Sequence, residues 1–596
     1  MCGFLGKVSN SNFDSKNIEI ANLHTICRGP DNKKDVEFEY KNFFHKYTFN
    51  RLSILDLSNK ADQPMSDKKN EKIIMFNGEI FNHKDLRKYL ESKDCTFLTS
   101  HSDTEVVLQG LSLEGIDFIN KLRGQFAIFF IDKVANKCFL IRDRLGQKPL
   151  YYKFKKNEII FGSNLKSVLD LAGNKESIST DSLNEYIKYG AIASPQTIFS
   201  NINKVSPGSY LEIDLKDKSV DCIEKRYWNL AEKVDSKPFE LKEFWNILQE
   251  AVSLRLNADV PVANFLSGGI DSSTIIKSLS KTNSELNTFT ISVDSKKYDD
   301  SYWAQLVANK YNTNHQSVSV KNYLDIHNVE KILNLIDEPY ADPSVIPSFA
   351  VSKEISNYYK VAISGDGGDE LLGGYVRTGH ALTNRNFLQN FISKFYRFYP
   401  GIFGTGNNLL KNSKNYWVSY KSFLEDKKLL SLLGIKDVNI NENLFLNKGL
   451  KKLKTLLLAD YKFYLPEMMM FKVDRTAMAN SLEVRSPFVD HLLIEYVMGH
   501  NLDYDPKNSK KILKDYLSED FNSDFINRKK QGFIFDLEEF VYSNIKYIES
   551  LINNGDLQNY FKLNKIKYLK LRKSRINANR LWKLYVITLY LDNIKK

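Results

Sequence analysis

Up to about residue 216, apolar positions arrive in short runs separated by turn residues: 72–76, 126–131, 137–142, 158–161 and 210–215. Runs of this length, rich in aromatic and β-branched side chains, predict strands with tight connections, and hence an α+β unit built on antiparallel sheets. A charged, Asp- and Lys-rich connection follows near 216–240. Beyond it the apolar period lengthens to that of helices, interrupted by short apolar runs at 262–266, 287–293 and 360–364. Strands alternating with helices predict an α/β unit with a doubly wound parallel sheet. From about residue 376 the pattern is helical and aromatic-rich, without an internal repeat. The expected division of the chain is therefore 2–216 and 217–596.

A length of 596 residues allows two or more domains with sizeable cores. Apolar residues at 42% and charged residues at 26%, with only 28 Gly and 14 Pro, exclude disorder and collagen-like or low-complexity architecture. The formal net charge of +12 sits mostly at one end, where positions 562–596 hold eleven Lys or Arg against one acid, Asp592. Such a stretch can bind phosphates or anionic lipid. Its apolar positions Leu581, Leu584, Tyr585, Ile587 and Leu591 instead predict a packed helix with a solvated basic face. No apolar run approaches the roughly 18–20 residues of a membrane span, and the Met-Cys-Gly-Phe-Leu-Gly start lacks the regions of a secretory signal, so a cytoplasmic protein is expected. All five cysteines (Cys2, Cys27, Cys95, Cys138, Cys222) lie early, without CxxC or Cys/His spacing, which indicates neither a disulfide framework nor a zinc site.

Cys2 is the first chemical signal. Initiator methionine is readily removed before small residues, which would leave a cysteine carrying its own base: an α-amine with a pKa of about 7.7–8.0 accepts a thiol proton near neutrality. Its company is specific: Arg51 in Asn-Arg-Leu-Ser-Ile-Leu-Asp, the Asn77-Gly78-Glu79-Ile80-Phe81-Asn82-His83 turn, and Ser102-Asp103-Thr104-Glu105. With Arg28-Gly29-Pro30-Asp31 and the 142–152 run, these resemble the class II glutamine amidotransferases, which have an N-terminal-nucleophile fold. The resemblance implies that Cys2 attacks glutamine, that Arg51 binds its α-carboxylate and that Asp103 binds its α-ammonium. It also implies an oxyanion hole from Asn77 and the Gly78 N–H, with Leu52, Ser53, Ile54, Leu55 and Glu79 around the glutamine. Two positions depart from the pattern. Cys27 stands where His usually precedes Arg-Gly-Pro-Asp, and Asn164 replaces the usual Glu of Ser163-Asn164-Leu165-Lys166; neither removes a catalytic group.

In the second half, Leu266-Ser267-Gly268-Gly269-Ile270-Asp271-Ser272-Ser273 lies between an apolar strand and a helical run. Glycines let backbone N–H groups turn to an anion, the helix adds its positive end and the serines add hydroxyls, which together predict a phosphate cradle. No Gly-Lys-Ser/Thr follows, so it is not a Walker A loop. A denser cluster, Ser364-Gly365-Asp366-Gly367-Gly368-Asp369-Glu370-Leu371-Leu372-Gly373-Gly374, places five glycines in ten residues. Carboxylates beside phosphates call for Mg²⁺, with Asp271 and Asp369 as candidate ligands.

These loops, with Asp337-Glu338-Pro339 and the stretch from Lys472-Val473-Asp474-Arg475 through Glu483-Val484-Arg485-Ser486-Pro487-Phe488-Val489-Asp490, resemble the synthetase half of glutamine-dependent asparagine synthetases. The likeness spans roughly residues 2–535. It implies an ATP-pyrophosphatase-type domain that holds ATP at Leu266, Ser267, Gly268, Gly269, Asp271, Ser272, Ile291, Ser364 and Gly365. It further implies that Asp366 acts at the acyl-adenylate step and that a late lysine, Lys530 with Lys529 as rival, stabilises charge on the adenylate. Asp474, Arg475, Glu483 and Arg485 read equally as substrate ligands or as an ion-pair network.

One half would thus release ammonia from glutamine, and the other would activate a carboxylate with ATP so that ammonia displaces AMP through a sealed passage. L-Aspartate is the leading acceptor. A sugar uronic acid of surface-polysaccharide synthesis is the alternative. A third reading, a nucleic-acid-binding protein, rests on the basic end and the phosphate loop, and Cys2 argues against it. Small-molecule substrates, no nucleic acid and no membrane span are expected; oligomeric state stays open, a homodimer included.

Overall fold

The computed structural model describes residues 2–12, 15–216, 219–282, 285–292, 300–435, 450–528 and 535–594. Two six-stranded antiparallel sheets form the first part. One runs in the order Asn203–Lys204, Tyr151–Lys155, Glu158–Gly162, Gly3–Ser9, Phe43–Arg51, Asn32–Tyr40. The other runs Ser219–Arg226, Ser209–Lys216, Lys137–Arg142, Gly124–Asp132, Lys72–Ile80, Met65–Ser66. Alternation along Gly3–Ser9 explains the layering. Phe4 and Val8 face the second sheet, in one core with Met75 and Phe129, while Leu5 points outward to Leu165 and Val168 of helix Leu165–Leu171. Gly6 lies under the Phe161 ring, where a Cβ would fall 2.3 Å from Cζ. In Lys72–Ile80 the inner residues are Ile73 and Met75, and Ile74 and Phe76 pack under helices His83–Glu91 and Asp103–Glu114. Strands covered on both faces read as unbroken apolar runs, which is why the central strands were legible.

All five early runs are strands, each within two or so residues of expectation or longer. Seven strands among the described residues were not expected: Gly3–Ser9, Tyr151–Lys155 and the two-residue Met65–Ser66 and Asn203–Lys204, and three longer ones whose pattern mixes in polar residues, of which Asn32–Tyr40 is a charged edge, Phe43–Arg51 buries His45, Lys46 and Asn50, and Ser219–Arg226 pairs along Ser209–Lys216. The charged stretch near 216–240 is therefore not all connection; its first part is a sheet edge, where charged side chains guard unpaired backbone.

The second part holds a five-stranded parallel sheet, in the order Asn314–Ser319, Asn287–Ser292, Val262–Phe265, Val361–Ile363, Glu483–Arg485. Position 293 of the expected 287–293 run lies outside the described residues. Glu483–Arg485 is a strand inside the stretch read as helical; its single valine between two charges makes no apolar run, unlike the equally short Val361–Ile363. The chain builds outward from Val262–Phe265 through the next two strands and then returns to its other side, so the switch of direction falls between Val262–Phe265 and Val361–Ile363. In doubly wound sheets that crevice is where ligands bind.

Helix Arg575–Ile594 is the packed element its apolar positions predicted, with Leu581, Leu584, Tyr585, Ile587 and Leu591 all buried. Its basic face is only partly solvated. Arg580 is buried in a bidentate pair with Asp426 (2.6 and 2.8 Å), and Lys583 donates to the Ile187 carbonyl at 2.9 Å. The helix ties the two parts together, since Tyr186 Oη donates to Lys583 O at 3.0 Å and Trp582 Nε1 to Ala341 O at 3.0 Å.

Candidate active site

Cys2 is buried at the head of strand Gly3–Ser9. Its N–H donates to Asn77 Oδ1 at 3.1 Å, and its carbonyl accepts from Arg28 Nε at 3.2 Å. Asn77 and Gly78 come from Lys72–Ile80 in the other sheet, so the site spans both layers. A Cβ on Gly78 would fall 2.0 Å from Gln125 O, and only glycine lets those strands close. Asn77 Nδ2 is buried and has no acceptor among the described residues, as an oxyanion donor waiting for its charge would be. Burial pushes the Cys2 thiol up, opposed by the N-terminal amine, the Leu52 N–H and Arg51.

The other expected glutamine contacts are differently engaged. Arg51 donates to Ser58 O (2.9 Å), Asp62 Oδ1 (2.6 Å), Leu55 O (3.4 Å) and Asp56 O, so a glutamine carboxylate would have to exchange for part of this set. Asp103, at the head of its helix, accepts the Ile80 N–H at 3.0 Å; burial raises its carboxyl and His83 opposes this. Leu52 and Ile54 turn away to pack on Val361 and Met478 of the second part, and the Ser53 N–H donates to Asp31 at 2.7 Å. Leu55 is buried. Glu79 pairs with Arg485 at 3.0 Å.

Behind Cys2 stands a buried chain of charges joining the two parts. Arg28 holds Asp474 with two bonds, 2.8 and 3.1 Å, and Asp474 also meets Arg475 at 3.2 Å and Lys148 at 3.6 Å. Arg475 continues to Asp337 (2.9 Å) and Tyr151 (2.5 Å), Tyr151 to Glu338 (2.5 Å), and Glu338 through Lys204 (3.1 Å) to Glu467 (2.9 Å). Nearby, Glu483 meets Arg485 at 2.6 Å, and Asp490 meets Arg123 at 2.9 Å and Arg255 at 3.1 Å. Asp474, Arg475, Glu483 and Arg485 are thus members of an ion-pair network between the parts. Against the cost of burial, Arg28 and Lys148 hold Asp474 well below the usual carboxylate range. In the same way the N-terminal amine and Arg485 bring Glu483 to about 2, and Arg255 and Arg123 bring Asp490 to about 2. The two unusual residues sit on this seam. Asn164 caps helix Leu165–Leu171, accepting from Lys166 N (2.9 Å) and Ser167 N (3.2 Å), and the Cys27 carbonyl accepts from Ser481 Oγ at 2.7 Å.

The strand Glu483–Arg485 leads from this seam to the second centre. Its Arg485 carbonyl holds the Ser364 N–H at 2.9 Å, and Ser486 Oγ donates to the Asp366 carbonyl. The two glycine-rich loops follow Val262–Phe265 and Val361–Ile363, on either side of the switch point. They are pressed together: a Cβ on Gly365 would fall 2.7 Å from Ser272 N, and one on Gly368 would fall 2.5 Å from Asp271 Oδ1. Leu266 N donates to Phe289 O at 2.8 Å, Ser267 Oγ meets Ser272 Oγ at 3.1 Å, and Gly269 opens helix Ile270–Ser280. Ile291 is buried in the neighbouring strand, and Ser364 Oγ is buried without a partner among the described residues. Asp366 is half-buried.

Asp271 and Asp369 converge as expected, but on a lysine. Lys510 Nζ lies 2.8 and 2.6 Å from the two Asp271 oxygens and 2.5 Å from Asp369 Oδ1. Its only mark in the sequence is the Asn508-Ser509-Lys510-Lys511 run, which looks like any solvated basic turn. Beside it, residues that include Tyr375, His380, Arg385 and Tyr504 line a cavity of about 360 Å³. No group of three or more His, Cys, Asp or Glu that could hold a metal occurs among the described residues. Lys530 and Lys529 lie outside the described residues.

Comparison with known proteins agrees with this two-centre layout. The chain is 27% identical to asparagine synthetase [glutamine-hydrolyzing] 1 of Bacillus subtilis, over all of this chain and 97% of that protein. It is 33% identical to a putative asparagine synthetase [glutamine-hydrolyzing] 2 of Methanocaldococcus jannaschii, over 63% of this chain and 76% of that protein. A solved glutamine phosphoribosylpyrophosphate amidotransferase from B. subtilis, complexed with ADP and GMP, aligns over 61% of this chain and 81% of that chain at 13% identity and a TM-score of 0.28, too distant to build on. The glutamine amidotransferase domain family matches residues 1–228 and the asparagine synthase family residues 243–591, and the chain belongs to the asparagine synthase family, with a glutamine amidotransferase domain at its head.

Proposed function

We propose that the protein is a glutamine-dependent asparagine synthetase that uses ATP and L-aspartate. In the first centre the Cys2 thiol, deprotonated by its own α-amine once Met1 is removed, attacks the side-chain carbonyl carbon of glutamine. The oxyanion that forms is held by Asn77 Nδ2 and the Gly78 N–H, the protonated α-amine passes its proton to the amide nitrogen as the C–N bond breaks so that ammonia leaves, and water then cleaves the thioester to glutamate and the free thiol. Asp103 takes the substrate α-ammonium and Arg51 its α-carboxylate. In the second centre the acceptor carboxylate attacks the α-phosphorus of ATP, and pyrophosphate departs. Ammonia then displaces AMP from the acyl-adenylate near Asp366, with Lys530 the candidate for stabilising charge there. The buried seam between the centres supports transfer of ammonia without loss, since free ammonia would be mostly non-nucleophilic ammonium at neutral pH.

The paired carboxylates Asp271 and Asp369 fit Mg²⁺, a cation usually bound by one or two carboxylates plus substrate phosphates. When bound it would neutralise phosphate charge, and Lys510 is placed to share that task.

The observation that carries the proposal is the convergence of the two glycine-rich loops, Asp271 and Asp369 at the switch point of a chain headed by Cys2 and its unpaired amide donor. The decisive experiment measures glutamine- and ATP-dependent AMP release over a panel of carboxylates. L-Aspartate should give the highest specificity constant. A uronic acid or its nucleotide conjugate as winner would remove the asparagine reading and leave the mechanism. Replacement of Asp369 by Asn should remove AMP release with every acceptor.

A further inference from the structure

One segment reverses the usual order of inside and outside. Phe387 and Phe398 are 74% and 76% exposed, and Leu388, Phe391, Phe395 and Phe403 are exposed with them. On helix Phe387–Ser393 and the turn Lys394–Phe398, positions 387, 391, 395 and 398 recur at spacings of three and four and so share one side. The tyrosines between them face the protein: Tyr399 lies against Gly406, and Tyr396 lies under Lys428 at 4.7 Å. The phenylalanines therefore point into water as a contiguous patch, which marks an interaction surface.

Charge identifies the partner. From 371 to 424 the chain carries seven Lys or Arg and no Asp or Glu; Arg377 is buried against Asp460, while Lys394, Arg397 and Lys414 are exposed, the first two among the phenylalanines. The second basic stretch, from Lys562 to Arg575, carries seven exposed Lys or Arg and no acid. Its far end folds against the aromatic segment. Arg572 Nη1 lies 3.5 Å from Phe403 O with its guanidinium 5.8 Å from the Phe403 ring, Arg580 donates to Gly401 O at 2.8 Å, and exposed Ile576 adjoins Gly404.

We infer that this face docks on an anionic lipid bilayer, with the phenylalanines at the boundary between headgroups and acyl chains and the Lys and Arg on headgroup phosphates. Phenyl and leucyl groups without hydrogen-bonding function suit hydrocarbon, and an excess of exposed Lys and Arg, of which Lys570 is drawn to Glu549, suits a negative surface. No helix among the described residues is long and apolar enough to cross a membrane, so the contact is peripheral.

Flotation of the full-length protein with phosphatidylcholine vesicles, with and without phosphatidylglycerol, tests this. The protein should float only with the anionic vesicles, less so as salt rises. The triple substitution Phe391→Ser, Phe395→Ser, Phe398→Ser should lower the bound fraction at least about tenfold. Lys394→Glu with Arg397→Glu should also lower it, and neither set touches the proposed catalytic residues, so glutaminase activity should be unchanged. The double charge variant keeps the test valid if the triple one misfolds. Absence of flotation, equal flotation with neutral vesicles, salt-dependent RNA binding in place of vesicle binding, or a solution dimer that the triple variant dissociates would each overturn the inference.

Discussion

The centre around Cys2 and the centre between the glycine-rich loops are built on opposite principles. Around Cys2 the groups sit on the strands of two packed sheets: Cys2 heads one strand, and Asn77 and Gly78 lie within another. Sheet packing fixes them before any substrate arrives, and an Asn77 Nδ2 with no acceptor among the described residues is what that rigidity leaves behind. The second centre is made of loops at strand ends, held by close glycine contacts and by Lys510 drawing two carboxylates together. The comparison teaches where preorganisation comes from: in the first centre from side chains locked in a core, in the second from a charge balance between Lys510 and two carboxylates.

The largest test of this contrast is Cys2→Ala. It should lower glutamine-dependent synthesis on the order of 10⁴-fold or more while synthesis from ammonium salts continues. Loss of both activities in a folded protein would mean that the centres are not separable.

Next in size is the seam. Replacing Arg28 by Ala leaves the buried Asp474 short of its strongest partner and should destabilise the protein by about 3–5 kcal/mol. Denaturant unfolding measures this, and a change under about 1 kcal/mol would show that Lys148 and Arg475 suffice. The same seam predicts a pH dependence. Asp474, Glu483 and Asp490 are depressed in the folded state, so their contribution is full above their unfolded values of about 3.9–4.3 and is lost as pH falls through the folded ones. For Glu483 and Asp490 that window ends at about 2. Thermal unfolding followed from pH 5 downward should show the midpoint falling below about 4, and a flat profile would remove the seam as a source of stability.

Asn77→Ala should reduce glutaminase kcat by about 10²–10³ with little change in KM, as loss of an oxyanion donor does. An effect confined to KM would make Asn77 a binding residue. The smallest effect belongs to Asn164→Ala, which removes a helix cap and should cost about 1 kcal/mol without altering either activity. If coupling between glutamine use and AMP release falls as well, the cap also holds the neighbouring seam.

Much of the plan was legible in the chain. Central strands show as apolar runs because both faces are buried, and the two glycine-rich loops show because close backbone contacts tolerate only glycine. The edge strands Asn32–Tyr40 and Ser219–Arg226 hid behind charges that keep such edges from pairing further. Strand Glu483–Arg485 hid because its one valine lies between two charges that only buried ion pairs make tolerable.

By itself the sequence determined which chemical groups exist and which local conformations they impose: a cysteine at position 2, an amide beside an obligatory glycine at Gly78, and two glycine loops each between a strand and a helix. Tertiary structure alone decided the partnerships. It made Asp474 and Arg475 a brace between the two parts, placed Lys510 on Asp369 and on Asp271, the latter 239 residues away, and turned Arg580 inward to Asp426. A charge's meaning depends on what lies within a few ångströms of it, and in a chain of this length those neighbours come from distant segments that no local pattern records.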